Sequence, residues 1–257
     1  MEPYTATEIM ALTAGSLVQN NDILFAGTGL SMLAATVAKR IHAPDAIVFF
    51  ETGGIDPSLE ELPLAVADPR VMVGTSVNSG LADALSILGH PKFRTIAFLG
   101  AAQIDCYGNL NSTMLGTYEN PEQRFPGSGG ACDAASLAYG IIVFMQHEYR
   151  RFVNKLDYFT SPGWLSGYNS RREAGFLRGG PMAVVTNLGV LKFDDITKMM
   201  YLDQYYPFTD PETIALKTGF SLDISRAKKC SPPKEDELKM LRQEVDPQRL
   251  ILGPMPG

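Results

Sequence analysis

The chain has 257 residues, 45% of them hydrophobic and 19% charged, which are proportions typical of a globular protein. Its formal net charge of −6 and its lack of a basic cluster argue against a nucleic-acid partner. No stretch approaches the ~20 apolar residues of a membrane span, and residues 1–8 do not have the pattern of a signal peptide.

Helices and strands are predicted to alternate from the N-terminus onward. A capping box at residues 5–8 begins the first helix, and the apolar run 23–26 predicts a short buried strand. The glycine loop 27–31 then leads into a second helix. The apolar run 46–50 predicts the next strand, which ends at Glu51.

The same alternation continues to the middle of the chain, and then the pattern changes. Further strands are predicted at 70–74, 94–100 and 141–146, and further helices at 80–90 and 130–140. Beyond these, the sequence predicts a hairpin at 182–194, a strand at 198–207 and terminal helices at 210–220 and 234–245. Residues 158–180 are rich in Gly, Ser and Arg, which predicts an ordered loop or a partner surface.

Alternating strands and helices predict an α/β fold with an open, mainly parallel sheet covered by helices on both faces. The hairpin and the terminal helices are expected to follow this sheet in the C-terminal part. Because no linker or internal repeat interrupts the pattern, we expect a single domain over residues 1–257.

The first glycine loop allows two interpretations. Its sequence, Gly27-Thr28-Gly29-Leu-Ser, resembles the start of a dinucleotide fingerprint, and Glu51 follows where a ribose-binding acid would stand. However, Met32 replaces the third glycine of that fingerprint. A helix is also predicted before the first strand, so a nicotinamide-dependent dehydrogenase is the less favoured interpretation.

A second glycine loop lies at residues 125–130 and precedes a predicted helix. Gly127, Gly129 and Gly130 let the backbone approach a ligand, and backbone N–H groups at such a turn can bind an anion or an oxyanion. A tight turn without a ligand is the simpler alternative. Both glycine loops and Glu51 follow predicted strands, and this edge of an α/β sheet is where ligands bind.

A carboxylate among oxyanion donors suggests acyl chemistry with Glu51 as the nucleophile. The alternative is that Glu51 is merely the first solvated residue after a strand. The stretch 99–113 also follows a strand, and the amide of Gln103 could line the same cleft.

The cysteines Cys106, Cys132 and Cys230 are odd in number and widely spaced. This pattern argues against a disulfide framework or a zinc site and favours a reducing, cytoplasmic location. A catalytic thiol needs a base beside it, and the sequence offers none near Cys132. The three histidines are similarly dispersed, so no metal site is predicted.

Several motifs occur together in one order along the chain: "GTGLSMLAATVAKRIHAPD", "FFETGGIDP", "FLGAAQIDCYGNLNST", "RFPGSGGACDAA", "MQHEYRRFVNKLDYFTSPGW" and "VTNLGVLKFD". This series resembles the β subunits of family I coenzyme A transferases, and most of all those of the glutaconate CoA-transferases. The resemblance extends from about residue 5 to about residue 250. It therefore covers nearly the whole chain.

The resemblance implies roles for specific residues. Glu51 matches the glutamate that is the nucleophile in that family, and the glycines after it would keep side chains away from an arriving thioester. A backbone N–H of Gly129 or Gly130 would donate to the oxyanion. The remaining residues implied to line or bind substrate are Gly27, Thr28, Gly29, Gln103 and Gly127.

The implied reaction is a ping-pong transfer of CoA from an acyl-CoA to a carboxylic acid, through a CoA thioester on Glu51. CoA is then a moiety of the substrates, and no permanently bound cofactor or metal is expected. The implied partner is a companion α subunit, in an αβ complex or a multiple such as α2β2, and no membrane or nucleic-acid partner is expected. An acyl-CoA hydrolase, a ring-opening hydrolase and a non-catalytic acyl-CoA-binding subunit are the alternatives.

Overall fold

The computed structural model of the chain describes residues 4–254, which form two compact units. The first unit contains the described residues up to Phe98 and those from Pro232 onward, and the second contains Leu99–Ser231. The second unit is thus inserted in sequence between two parts of the first. The single domain expected over residues 1–257 stays a prediction. Among the described helices, none has the length and apolar character that crossing a membrane requires.

The helices of the described chain are short. They are α1 (Ala6–Gly15), α2 (Leu30–Val37), α3 (Leu81–Ser86), α4 (Ala131–Leu137), α5 (Ser170–Glu173), α6 (Pro211–Leu216) and α7 (Glu235–Met240). The strands are β1 (Ile23–Phe25), β2 (Ile47–Phe49), β3 (Gly54–Ile55), β4 (Val77–Asn78), β5 (Thr95–Gly100), β6 (Gln103–Ile104), β7 (Leu110–Asn111), β8 (Met114–Gly116), β9 (Pro121–Arg124), β10 (Gly140–Met145), β11 (Pro181–Thr186), β12 (Gly189–Phe193), β13 (Met200–Tyr205) and β14 (Lys228–Lys229).

The sheet of the first unit is built around β1. This strand pairs in parallel with β5 on one side and with β2 on the other, and it is buried along its whole length. Strands β3 and β4 then extend the sheet in antiparallel fashion beyond β2. Because β1 and β2 are parallel, their carboxyl ends and the loops that follow them lie at the same edge.

In the second unit, β10 and β11 are parallel, whereas β11, β12 and β13 form an antiparallel meander. The β11–β12 connection is the predicted hairpin. Two small ribbons, β6–β7 and β8–β9, precede α4 in the chain. The predicted α/β class is confirmed, with parallel central strands, a C-terminal hairpin and terminal helices.

Local signals at chain turns explain one success and one error of the sequence analysis. The predicted capping box is present, since Thr5 Oγ1 accepts from Glu8 N at 3.1 Å and Glu8 Oε2 accepts from Thr5 N at 2.8 Å. The predicted strand at 70–74 is wrong, because residues Pro69–Met72 form a 3₁₀ turn. Asp68 caps this turn by accepting from Arg70 N at 3.0 Å, and Pro69 suits its first position.

A buried ion pair joins the two ends of the chain within the first unit. The side chain of Glu8 is 0% exposed, and its Oε1 lies 2.7 Å from Arg242 Nε and 3.6 Å from Arg249 Nη1. Burial alone would raise the pKa of Glu8, but the hydrogen bond from Arg242 and that from Thr5 N hold this pKa below its ordinary value. Glu8 is therefore ionised in the folded protein at neutral pH.

A buried histidine, His147, connects three segments of the second unit through its contacts with Phe152 and Thr218. His147 is 1% exposed, its ring stacks on Phe152 with centroids 4.0 Å apart, and its Nε2 lies 2.9 Å from Thr218 Oγ1. The Thr218 hydroxyl donates to Ile214 O, so Nε2 of His147 carries the proton that completes the chain of hydrogen bonds. Burial lowers the pKa of His147 to about 3.

This histidine predicts a pH-dependent loss of stability. The folded state keeps His147 neutral, whereas an unfolded histidine binds a proton near pH 6.5. The contribution of the neutral ring is complete above that pH and is lost as the pH falls from about 6.5 towards 3, by about 1.4 kcal/mol per pH unit. Urea unfolding at pH 7.5 and 5.0 should show a steeper loss for the wild type than for His147→Gln. Equal losses would contradict the prediction.

Candidate active site

Glu51 lies at the tip of a tight turn between β2 and β3 in the first unit. Gly53 N donates to Phe50 O at 3.0 Å, and Phe50 N donates to Gly54 O at 3.0 Å. The main chain on both sides of Glu51 is therefore fixed. Glu51 itself is half-buried, and within residues 4–254 its carboxylate has no hydrogen bond or ion pair. The turn thus holds a carboxylate that no neighbour neutralises.

The glycines that follow Glu51 are required by the packing of the chain itself. Gly53 has φ +106°, and a Cβ there would overlap the carbonyl oxygen of Ser79. A Cβ on Gly54 would overlap the carbonyl oxygen of Val71. Their role is thus close backbone packing behind the turn, which differs from the sequence-based interpretation that they clear a path for a thioester.

The loop between β1 and α2 follows the strand next to Glu51. Phe25 lies opposite Phe49 in the parallel pair, and Ala26 N donates to Phe49 O at 3.2 Å. The loop 27–29 and the turn that carries Glu51 therefore emerge at the same edge of the sheet. Thr28 at the centre of this loop is exposed.

Gly27 and Gly29 of this loop differ in backbone conformation, but both have open space beside them. Gly29 has φ +66° and precedes the first residue of α2, so its conformation favours glycine. Gly27 has no left-handed φ, and no chain atom lies within 4 Å of the position that its Cβ would occupy. The space beside Gly27 and Gly29 is therefore open to a molecule other than the chain.

The second glycine loop belongs to the second unit and is held by Ser112. Gly127 N donates to Ser112 O at 3.1 Å, and Ser112 Oγ donates to Gly127 O at 2.9 Å. Gly127 and Gly129 have φ of +91° and +50°, with no chain atom within 4 Å of either Cβ position. In the described part of the chain, the N–H groups of Gly129 and Gly130 donate no hydrogen bond. They are available to an oxygen of a ligand.

An open cleft of 370 Å³ lies against this loop within the second unit. Its lining is mostly apolar or small, and its described lining residues are Gly100, Ala101, Ala102, Ser112, Phe125, Pro126, Gly127, Ser128, Ala131 and Arg151. The volume falls in the range of small-molecule sites, and the combination of apolar walls with few polar groups is typical of them.

Gln103 makes hydrogen bonds within the second unit, whereas the resemblance implies that it lines the substrate site. Its Oε1 accepts from Asn111 Nδ2 at 2.8 Å and from Asp157 N at 3.0 Å, while its Nε2 donates to Asp157 Oδ2 at 3.1 Å. Gln103 is 5% exposed and is not among the cleft-lining residues. Its amide therefore fastens the β6–β7 ribbon that follows residues 100–102.

A buried arginine holds the far end of α4. Arg171 is 3% exposed, and its guanidinium donates to the carbonyl oxygens of Ala135 at 2.7 Å and Gly163 at 2.8 Å. Burial lowers the pKa of Arg171 to about 10, so the residue is charged at neutral pH. The predicted loop 158–180, which includes α5 and Arg171, thereby anchors the helix that follows the glycine loop.

Within residues 4–254, the cysteines near these loops have no activating partner. Burial, with a smaller effect of Asp105, raises the pKa of Cys106 to about 11, which disfavours its nucleophilic thiolate. Cys132 N donates to Ser128 Oγ at 3.0 Å as part of the turn into α4. Among the residues that the structure describes, no group of three or more His, Cys, Asp or Glu could hold a metal ion.

Two residues of the second unit were not found by the sequence analysis. Ser112 and Arg151 both line the cleft, and both stand in quoted motifs without a role. The hydroxyl of Ser112 reaches the glycine loop 15 residues later in the chain, a contact that spacing along the sequence does not reveal. The adjacent arginines in "HEYRRF" are the feature of the sequence that draws attention to Arg151.

Comparison with known proteins identifies the family of the chain. The family model described as "Coenzyme A transferase" matches residues 7–217. The chain is 44% identical over 263 aligned positions to the β subunit of glutaconate CoA-transferase from Acidaminococcus fermentans, covering 97% of this chain and 95% of the relative. It is 31% identical to the β subunit of 3-oxoadipate CoA-transferase from Pseudomonas knackmussii, covering 94% of each chain. The crystal structure of glutaconate coenzyme A-transferase from A. fermentans superposes with a TM-score of 0.94, at 42% identity and 98% coverage of both chains.

Proposed function

The chain belongs to the coenzyme A transferase family, and we propose that it is the β subunit of a heteromeric enzyme that transfers CoA from an acyl-CoA to a dicarboxylic acid. The observation that carries this proposal is the similarity, over nearly the whole chain, to the β subunits of two CoA-transferases. Glutaconate and 3-oxoadipate each carry two carboxylates. This shared chemistry supports a dicarboxylate as the acceptor class.

We assign the nucleophilic role to Glu51. One carboxylate oxygen of Glu51 attacks the thioester carbonyl of the acyl-CoA, and the C–S bond breaks to give a mixed anhydride and CoA thiolate. The thiolate then attacks the Glu51 carbonyl and expels the donor acid as a carboxylate. CoA is now held as a thioester on Glu51.

The second half of the reaction repeats these steps with the acceptor. Its carboxylate attacks the Glu51 carbonyl, and the CoA thiolate leaves as a new mixed anhydride forms. The thiolate attacks the acceptor carbonyl of this anhydride, which releases the new acyl-CoA and the free Glu51 carboxylate. Each step exchanges one acyl bond for another, so the cycle needs no net proton transfer and no redox step.

Two features of Glu51 support this role. Its carboxylate has no cationic partner among residues 4–254, so its negative charge is available for attack. The hydrogen-bonded turn at 50–53 and the close packing behind Gly53 fix its backbone. A fixed nucleophile can reach effective molarities of about 10⁵–10⁸ M, which compensates for the weak nucleophilicity of a carboxylate.

We assign the oxyanion-binding role to the backbone N–H groups of Gly129 and Gly130. They would donate hydrogen bonds to the thioester oxygen, on which negative charge develops during attack. The support is that neither group has a hydrogen-bond partner in the described chain, and that both lie in a motif on which the resemblance to the family rests. Gly27, Thr28 and Gly29 are assigned to substrate binding. The support is the open space beside both glycines.

Hydrolysis and non-catalytic binding are the alternatives, and both have less support. A hydrolase would need water to reach the mixed anhydride or the Glu51 thioester, and no described residue near Glu51 is paired with it as a base. A non-catalytic subunit would not need an unpaired carboxylate held on a tight turn. The two relatives above 30% identity are both named as transferases.

The proposal is tested with the companion α subunit, co-expressed and co-purified with this chain. The complex should transfer CoA from acetyl-CoA to glutaconate. The rate at which free CoA is released should be much lower than the rate at which the new acyl-CoA forms. The chain alone should be inactive. Transfer by the isolated, monodisperse chain would contradict the partner, whereas release of free CoA without transfer would favour the hydrolase.

The oxyanion role predicts a kinetic effect of Gly129→Ala. Alanine rarely adopts the left-handed φ of +50° found at this position, so the backbone should rotate and turn the N–H away, and loss of one oxyanion donor typically lowers the rate by about 10²–10³. Gly175→Ala is the matched control, because Gly175 is also left-handed, with φ +91° and open space around it. Steady-state transfer should fall in the first variant alone. Equal activity of both variants would remove Gly129 from the mechanism.

A further inference from the structure

Arg151 is the charged residue among those that line the cleft of the second unit. Its backbone is fixed, since Arg151 N donates to Glu148 O at 2.8 Å and Arg151 O accepts from Ile104 N at 2.8 Å. The side chain is 30% exposed. A cation is thus held beside an open cavity whose other walls are apolar or small.

The guanidinium of Arg151 donates a hydrogen bond from Nε, and its two terminal nitrogens are free within residues 4–254. Its Nε lies 3.1 Å from Glu148 Oε2, whereas its two terminal nitrogens have no hydrogen-bond partner within residues 4–254. A guanidinium edge with two free nitrogens matches the two oxygens of a carboxylate in a planar, bidentate pair. The partner that this edge fits is therefore an oxyanion, a carboxylate or a phosphate group.

The neighbouring arginine does not share this position. Arg150 Nε lies 2.7 Å from the same Glu148 oxygen, but its side chain is 76% exposed and is not part of the cleft lining. Hydrogen bonds from Arg150 and then Arg151 hold the pKa of Glu148 below its ordinary value. Glu148 therefore stays ionised and keeps Nε of Arg151 engaged at neutral pH.

We propose that Arg151 binds a carboxylate of the dicarboxylic acid in the cleft of the second unit, and thereby selects dicarboxylates over monocarboxylates. This inference rests on the proposed function. A single guanidinium between small apolar walls suits one carboxylate at the end of a short carbon chain. The phosphates of CoA carry several charges and would call for several cations, whereas the described lining supplies one.

The test compares two acceptors that differ in this one group. Glutaconate and pent-2-enoate have five-carbon chains, and the second has a methyl group where the first has its distal carboxylate. Acetyl-CoA is the donor in both assays, and the enzyme is the complex with the companion α subunit. Ping-pong kinetics give separate KM values for donor and acceptor.

We expect Arg151→Gln to raise the KM for glutaconate by about 10- to 100-fold, the effect of losing one charged hydrogen-bonded pair. The KM for acetyl-CoA and the kinetics with pent-2-enoate should stay unchanged. Arg151→Lys should restore part of the preference for glutaconate, because it keeps the charge without the bidentate edge. Arg150→Gln is the matched control and should leave all three values unchanged.

Several results would overturn the inference. A higher KM for acetyl-CoA with both acceptors would mean that Arg151 binds CoA. An unchanged preference in Arg151→Gln, or a wild-type complex that transfers CoA equally well to both acids, would mean that Arg151 does not select the acceptor. A wild-type complex that transfers CoA to neither of these acids nor to 3-oxoadipate would overturn the proposed function itself and the inference with it.

Discussion

Glu51→Ala is expected to lower CoA transfer by the assembled complex by at least about 10⁵-fold, because the variant loses the positioned nucleophile and with it the covalent route. The turn should persist, since its hydrogen bonds join backbone atoms of Phe50, Gly53 and Gly54. The measurement is steady-state transfer from acetyl-CoA to glutaconate. Glu60→Ala is the control, an exposed glutamate of the same unit, and should retain normal activity.

The intermediate gives a second, independent measurement. Acyl-CoA supplied without an acceptor acid should leave CoA on the wild-type protein as a thioester, which borohydride reduces and which peptide mass mapping places at Glu51. Glu51→Asp moves the carboxylate back by roughly 1.5 Å, so it should lose transfer and retain at most slow hydrolysis. An adduct on Cys132 or Cys106, or normal transfer by Glu51→Ala, would reject the proposed nucleophile.

Arg242→Met is expected to destabilise the protein by about 3–5 kcal/mol, the cost of removing the nearer of the two arginines that pair with a buried carboxylate. The carboxylate affected is that of Glu8, which is 0% exposed and receives hydrogen bonds from Arg242 at 2.7 and 3.1 Å, whereas Arg249 lies farther away at 3.6 Å. The free energy of unfolding is measured by urea titration at pH 7.

The matched control for this change is Lys234→Met. Lys234 forms an ion pair with Glu237 at 3.6 Å, but its side chain is 75% exposed, so its loss should cost at most about 1 kcal/mol. The double variant Glu8→Gln/Arg242→Met removes both charges and should recover part of the stability. If Arg242→Met costs no more than Lys234→Met, the buried pair does not stabilise the first unit.

The sequence predicted the elements that carry Glu51 because their signals are local. An apolar run predicts β2, and the carboxylate after it marks the strand end, so Glu51 could be chosen before any contact was known. The glycine loop at 127–130 was found in the same way, because glycines before a helix are visible in a short window. The order of the motifs along the chain supports both predictions, that of Glu51 and that of the glycine loop.

The contacts that explain these residues are not local. Gly53 packs against Ser79, and Gln103 binds Asp157, across 26 and 54 positions of the chain. No short window of the sequence contains both partners, so the sequence alone indicates ligand access for Gly53 and a lining role for Gln103. The strand predicted at 70–74 is wrong for a different reason. Its apolar residues have the composition of a strand, whereas the local signal for a turn is the cap at Asp68.

The pairing of Glu8 with Arg242 has a consequence for synthesis on the ribosome. Arg242 is added 234 residues after Glu8, which is roughly 10–50 s later at ordinary rates of translation. Throughout that interval the chain lacks both arginines that pair with Glu8 in the folded protein, Arg242 and Arg249, so burial of the Glu8 carboxylate is unfavourable. The inserted second unit is complete in sequence before this happens. A chain released before Arg242 would therefore carry a first unit that cannot close, and such a chain would be exposed to proteolysis instead of being available for assembly.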